Sequence, residues 1–91
     1  MAQKVELGRL MATPDALAAL ADSGQSPAEF LDRHTAQDWG ELCEEDRRLN
    51  DLALVEGDRL LSSYRTRKNV VIWVLTEADR SATTIMLPEN Y

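Results

Sequence analysis

Residues 77–81, Glu-Ala-Asp-Arg-Ser, place two carboxylates and one guanidinium within five positions. Opposite charges at this spacing can bind a metal ion, an anion or a reacting group. Glu77, Asp79 and Arg80 also lie between two segments with strand patterns, where a polar turn is ordinary and an arginine commonly pairs with acids or backbone groups. The segment therefore predicts either the site of a small ligand-binding protein or enzyme, or a structural turn.

His34 is the single histidine, and Asp38 follows it at a spacing that could orient the imidazole as a base or a ligand. A structural zinc ion takes four Cys or His ligands and a catalytic one about three protein ligands. Cys43 is the one other soft ligand in the chain. We therefore expect no metal and no cofactor. We expect His34 to cap helix carbonyls or to pack against Trp39, with a ligand-binding role beside residues 77–81 as the alternative.

Arg65, Arg67 and Lys68 cluster in a predicted hairpin turn, next to Tyr64. Such a cluster suits contacts to phosphate groups. Proteins that bind nucleic acids usually carry a larger basic patch and a basic charge overall, whereas this chain has a net charge of −6. Weak nucleic-acid binding through these residues is therefore a minor alternative to a solubilising turn.

The negative charge is concentrated in the first part of the chain. Residues 1–58 contain 13 acidic and 5 basic residues, whereas residues 59–91 contain 3 acidic and 5 basic ones. The predicted third helix carries the densest acidic group, formed by Glu44, Glu45, Asp46 and Asp51. Such a charged run is usually a solvated helix face, and the alternative is a surface that binds a basic partner. Carboxylates at phosphate-like spacing could also imitate DNA and occupy a basic groove.

Three helices are predicted in the part of the chain that precedes residue 59. Thr13-Pro14 has the cap and first-turn proline of a helix start, and Gly24 can end that helix, which gives a helix over about 14–22. Ser26 and Glu29 have the spacing of a capping box for a second helix that ends near residue 34 or 35. A third helix is expected from residue 41 or 44 to 56, with Asp38 as its cap. Its predicted core side chains are Leu42, Leu49, Leu52, Ala53 and Val55.

The remainder of the chain predicts a sheet. Residues 59–65, 69–76 and 82–87 have strand patterns with short connections, which favours an antiparallel meander. The middle segment is apolar on both sides of its alternation, so Ile72 and Trp73 point to opposite faces and both faces should be covered by helices. Residues 5–11 have the weaker pattern of an additional edge strand, and Pro88 should end the last strand or keep it at an edge.

Several spaced motifs resemble a family of short bacterial proteins associated with plasmids and integrated mobile elements, some of which carry labels that mention type I restriction. The motifs are His34-x3-Asp38-Trp39-Gly40, Arg59-Leu60-x-Ser62-x-Tyr64, Ile72-Trp73, the run from Thr76 to Thr84, and Leu87-Pro88-Glu89-x-Tyr91. The resemblance extends from Leu7 to Tyr91 and implies a bacterial, mobile-element setting. It supplies no activity and no catalytic residue. A restriction methyltransferase needs a cofactor-binding fold and a glycine motif that this chain lacks.

Together these features predict one α+β domain over residues 1–91, with short N-terminal helices packed on a C-terminal three-stranded antiparallel β-meander. The single Cys43 and the absence of an apolar leader in residues 1–6 favour a reduced, cytoplasmic setting. No membrane association is expected, and the protein should be a monomer or a homodimer paired through an edge strand. The leading functional prediction is a small acidic, non-enzymatic interaction protein of a mobile element that binds a protein partner and, in a sharper version, inhibits a host defence enzyme as a DNA mimic.

Overall fold

The computed structural model describes residues 5–91. The expectation about a leader rests partly on residues 1–4, which lie outside this range. The elements run in the order β1 (Arg9–Ala12), α1 (Pro14–Ser23), α2 (Pro27–Thr35), α3 (Glu44–Glu56), β2 (Leu60–Arg65), β3 (Val71–Thr76) and β4 (Ala82–Met86), followed by a 3-10 helix (Pro88–Asn90).

The described chain is α+β, with three α-helices and one mixed sheet of four strands in the order β1-β4-β3-β2. Strands β2, β3 and β4 are antiparallel neighbours, as the short connections predicted. β1 is the additional strand and runs parallel to β4. The sheet is therefore larger than a three-stranded meander. Of the two roles predicted for Pro88, it follows the end of the last strand, whereas an edge position for that strand is wrong, because β4 lies between β1 and β3.

Helix ends follow the local capping residues in part. The Thr13 hydroxyl accepts a hydrogen bond from the Ala16 amide at the start of α1, and Gly24 ends this helix in the left-handed conformation. At α2, Ser26 occupies the cap position without a side-chain hydrogen bond, so the predicted capping box is absent. Glu29 instead accepts a hydrogen bond from the Gln25 side-chain Nε2 at 2.6 Å.

The predicted cap of α3 is also wrong, since the helix begins after Cys43 and not at Asp38. Asp38 accepts hydrogen bonds from Arg33 Nε at 2.7 Å and from the Gly40 amide at 3.1 Å. It therefore closes the turn that follows α2.

All three α-helices pack on one face of the sheet. One core cluster joins α1 and α2 to the sheet, and a second joins α3 and the Trp39 segment to β2. The sheet residues of both clusters share one face; they are Leu60, Tyr64, Ile72, Val74 and Ile85. We call this the helix-covered face.

The opposite face of the sheet, called here the second face, carries Leu61, Trp73, Leu75 and Met86. The expectation that helices cover both faces is wrong. The 3-10 helix and Tyr91 supply its cover, with the Tyr91 ring edge-on to Trp73 at a centroid distance of 6.0 Å. Leu75 and Met86 are buried, but Trp73 and Leu61 remain half-exposed.

Candidate functional site

The loop of residues 77–81 is organised around the Arg80 guanidinium. Nη1 donates to the carbonyl oxygens of Asp58 at 2.7 Å, Ala78 at 3.1 Å and Glu77 at 3.2 Å, and Nη2 donates to that of Ala53 at 3.3 Å. Ala53 lies near the end of α3, where the helix dipole favours a cation. Arg80 therefore fastens the β3–β4 turn to the end of α3.

Asp79 completes the same turn. Its Oδ1 accepts a hydrogen bond from the Ser81 amide at 3.0 Å, and the Ser81 side chain and amide together lower the pKa of this carboxyl. The Asp79 carboxylate thus stabilises the turn through a hydrogen bond to the loop backbone. The structure brings Glu77, Asp79 and Arg80 together as the sequence suggested, in an arrangement that a structural turn explains.

We expect Arg80→Ala to lower the free energy of unfolding by about 1–2 kcal/mol, because four carbonyl contacts to a partly exposed cation are lost. Urea unfolding followed by circular dichroism measures the change. Arg67→Ala, at an exposed position of the neighbouring hairpin, is the matched control and should change stability by less than about 0.5 kcal/mol. Unchanged stability of Arg80→Ala would contradict the structural role and return the loop to the candidates for ligand binding.

His34 lies far from a ligand-accessible position, since its side chain is completely buried beneath the sheet. Nδ1 lies 2.6 Å from Ser62 Oγ and Nε2 lies 2.9 Å from Thr76 Oγ1. The chain of hydroxyl groups continues from Thr76 to Thr83 at 2.8 Å, and Thr83 donates to the Leu7 carbonyl at 2.8 Å.

The end of this chain fixes the tautomer of the imidazole. Because Thr83 donates its proton to a carbonyl, it must accept from Thr76, and Thr76 must in turn accept from His34 Nε2–H. Nδ1 is then left to accept from the Ser62 hydroxyl. Burial, with a smaller contribution from the Arg80 charge, lowers the pKa of His34 to about 4, so the ring is neutral at pH 7.

This geometry confirms that His34 packs against Trp39, whose ring is edge-on at 5.7 Å between centroids. It also separates His34 from Asp38, whose carboxylate is held by Arg33 and Gly40. Among the described residues, no hydrogen bond joins His34 to the loop of residues 77–81, so the alternative in which they act together gains no support. His34 thus lies in the buried network of the fold.

Two of the basic side chains in this hairpin are paired with carboxylates, one in the segment before α3 and one in α1. Arg65 Nε lies 3.2 Å from Glu41 Oε1, and Lys68 Nζ lies 3.3 Å from Asp22 Oδ1. The Arg67 amide donates to the Gln25 side chain at 2.9 Å. Two of the three cations therefore already have carboxylate partners, which reduces the charge that this turn offers to phosphate groups.

Helix α3 faces the sheet with a side that contains Ala53, as predicted, but none of the predicted core residues Leu49, Leu52 and Val55. Asn50 is 6% exposed, and its amide group pairs with the backbone of Leu61, donating to the carbonyl at 2.6 Å and accepting from the N–H at 3.2 Å. Asn50 and Ala53 therefore point inward. The predicted core positions Leu49, Leu52 and Val55 are 57%, 50% and 84% exposed, so that part of the core prediction is wrong.

These three apolar side chains recur every third residue and form one stripe along the outside of α3, which we call the α3 stripe. The helix carries five acidic and two basic residues, a net charge of −3. Glu45 and Glu56 lie one helical turn from Leu49 and Leu52, so acidic groups border the stripe. Arg48 is paired with Glu44 at 3.9 Å. The acidic helix thus presents a mixed apolar and negative surface.

The predicted partner-binding acids differ in their surroundings. Glu44, Glu45 and Asp46 are exposed in the first turn of α3, where carboxylates complement the helix dipole. Asp51 accepts a hydrogen bond from Trp39 Nε1 at 2.9 Å and therefore also holds the segment before the helix. Asp51 has a structural partner, whereas the other three lie at the surface, with Glu44 in an exposed ion pair with Arg48.

A shallow groove of about 510 Å³ lies on the second face. Its floor is formed by Leu61 and Leu75, and Tyr91 forms one wall and accepts a hydrogen bond from Arg59 Nη1 at 2.8 Å. Asp58 and Glu77 bring acidic groups to its rim. The groove combines an apolar floor with charges of both signs and does not select one ligand chemistry.

Within residues 5–91, no group of three or more His, Cys, Asp or Glu side chains could hold a metal ion. No α-helix in that range is long and apolar enough to cross a membrane. Comparison of the chain with protein-family models, curated proteins and solved structures gives no match in any of the three.

Proposed function

We propose that this protein is a non-enzymatic binding module that recognises a protein partner through the outer face of α3. The observation that carries the proposal is the exposure of Leu49, Leu52 and Val55 on one side of a helix whose other side is fixed to the sheet. Isolated exposed apolar residues are common, whereas a contiguous stripe with a polar border is typical of interaction surfaces.

The composition of the surface indicates the chemistry of the partner. An apolar stripe is best covered by apolar side chains, and bordering carboxylates favour lysine and arginine at the rim of the partner surface. A partner helix with apolar residues at every third or fourth position, bordered by lysine and arginine, would match this surface. The mobile-element setting implied by the resemblance would place such a partner in a bacterial host.

The test removes the stripe while retaining helix propensity. Leu49→Gln, Leu52→Gln and Val55→Gln combined should weaken partner binding by roughly tenfold or more, because the apolar contact is lost. Crosslinking and mass spectrometry from bacterial lysate identify the partner, and calorimetry with the purified partner measures affinity. Leu17→Gln, at a 48% exposed position of α1, is the matched control and should bind as the parent does.

Inhibition as a DNA mimic is the second candidate, and the exposed first-turn acids Glu44, Glu45 and Asp46 favour it. Binding that depends on charge alone should be lost as salt rises, whereas binding through the α3 stripe should persist. The DNA-mimic hypothesis predicts that binding of the partner is lost at high salt, requires these three acids and is unchanged by the Leu49→Gln, Leu52→Gln and Val55→Gln substitutions. This result would contradict recognition through the α3 stripe.

A further inference from the structure

The hydrogen-bonding direction of β1 shows which of its backbone groups are open. The Arg9 amide donates to the Ser81 carbonyl and the Thr13 amide to the Ile85 carbonyl, each at 3.0 Å. Because successive residues of a strand point their N–H and C=O groups to opposite sides, those of Leu10 and Ala12 face away from β4. Within residues 5–91, β1 is the end strand of the sheet and no hydrogen bond to Leu10 or Ala12 is formed on its outer side, so these two residues form an open edge of the described chain.

The other edge of the sheet is covered at two of the outward residues of β2, Leu61 and Ser63. Asn50 pairs with both backbone groups of Leu61, as described above. The next outward residue of β2, Ser63, donates to the Trp39 carbonyl at 3.1 Å and accepts from the Glu41 amide at 2.6 Å. A side chain and a loop thus cover one edge, as proteins commonly do to prevent unwanted pairing, while β1 presents a 56% exposed Leu10 and a 45% exposed Met11.

We propose that β1 pairs antiparallel with β1 of a second copy of this chain, about a two-fold axis at Met11. Leu10 of each chain then lies opposite Ala12 of the other, and each such pair exchanges two hydrogen bonds. All four outward backbone groups of each chain are satisfied in this register. The two outward residues, Leu10 and Ala12, lie symmetrically on either side of Met11, which is what an isologous contact needs.

Side chains and charges are compatible with the same register. The two Met11 side chains meet at the axis, on the second face, because Met11 neighbours Thr84 and not Ile85. Arg9 lies opposite Thr13 of the second chain, so no two like charges are directly opposed. The two sheets combine into one of eight strands, and their second faces become continuous.

A contact of two four-residue strands is smaller than the interface of a stable dimer, so association should be weak and reversible. Analytical ultracentrifugation from about 10 μM to 1 mM should show a monomer–dimer equilibrium in this range. Residue-resolved amide hydrogen exchange on the same samples should show protection of Leu10 and Ala12 that increases with concentration. Arg9 and Met11, which bond to β4, should be protected at every concentration.

Two variants test the register. Leu10→Pro removes an outward donor without touching the β1–β4 ladder, as an edge strand permits, and should weaken association by roughly tenfold or more. Leu10→Val keeps the donor and is its control. Met11→Lys places like charges at the axis and should weaken association to a similar extent at low salt, while Met11→Thr should not.

Thermal unfolding confirms that each variant is folded. Should Leu10→Pro fail to fold, Met11→Lys still tests the proposed register. A chain that stays monomeric at the highest concentration overturns the proposal. So does a dimer in which the exchange of Leu10 and Ala12 is unchanged, or one that forms equally well with Met11→Lys. Protection of the two amides only by an added extended peptide would also overturn it, in favour of strand addition by a different partner.

Discussion

Lowering the pH from 7 to 4 should cost the folded protein about 3 kcal/mol of stability through His34 alone. The pKa of this residue is about 4 in the folded chain, against an ordinary value of 6.5. Between these values the unfolded chain binds a proton that the folded chain excludes, so the free energy of unfolding decreases as the pH falls. The contribution is fully present above pH 6.5 and is lost as the pH falls through this range.

Urea unfolding at half-unit steps of pH measures this dependence. His34→Leu should be less stable at pH 7, because the hydroxyl groups of Ser62 and Thr76 lose a partner, but its stability should change much less between pH 6.5 and 4. Asp38 and Asp79 have pKa values lowered from 3.8, so their own loss of stability falls below this window.

An NMR titration of the buried His34 imidazole measures its pKa and tautomer without any substitution. The His34 carbon shifts should stay at the values of the neutral Nε2–H tautomer from pH 7 to 5. A midpoint near 6.5 in the folded chain would contradict the buried network as described.

Gly40→Ala should be the most destabilising single-methyl substitution in the segment that connects α2 and α3. Gly40 has a φ of 77°, which side chains rarely adopt, and an added Cβ would overlap the Ser63 carbonyl oxygen and lie 2.7 Å from Tyr64 Cδ1. The backbone penalty is about 1 kcal/mol and the overlap adds more, because the Ser63 carbonyl is held in the bridge to β2. We expect a loss of about 3 kcal/mol or more.

Thermal and urea unfolding measure this loss, with Gly24→Ala as the matched control. Gly24 also has a positive φ of 68°, but no atom lies within 4 Å of a Cβ built on it. The control therefore isolates the backbone penalty at about 1 kcal/mol. Equal losses in the two variants would mean that the contact of Gly40 with β2 carries no additional energy.

Local sequence signals predicted the elements that depend on local chemistry. Thr13, Pro14 and Gly24 mark the ends of α1 in the structure as they do in the sequence. The alternation of apolar residues likewise located β2 and β3. These features follow from backbone conformation and from the period of side chains along a strand, which are readable within a few residues.

Side-chain partners that are distant in sequence could not be predicted in this way. The inward side of α3 is set by Asn50, whose amide group matches the open backbone of Leu61, so hydrophobic periodicity selected the wrong face. The Arg80 guanidinium bonds to carbonyl groups as far away in sequence as Ala53, and the His34 imidazole has hydrogen-bond partners on two strands. Nothing within either local segment specifies these contacts.

The motifs that carry the resemblance are mainly explained by the fold. Asp38, Trp39 and Gly40 form the turn and the bridge beside β2, and Tyr64 donates from its hydroxyl to the Asp38 carbonyl at 2.6 Å. Tyr91 packs on Trp73. The candidate partner surface on α3 lies outside these motifs, so the spacing that identifies the resemblance does not itself mark the proposed site.

The parallel pairing of β1 with β4 has a consequence for how the chain folds. Arg9 is registered with Ala82, so the two strands are separated by more than seventy residues of sequence. Closing such a long loop costs conformational entropy before any of its contacts form, and topologies of high contact order fold slowly. During synthesis β1 must wait until β4 has been made, and the β2–β4 meander, which needs only short loops, is expected to be the earlier folding unit.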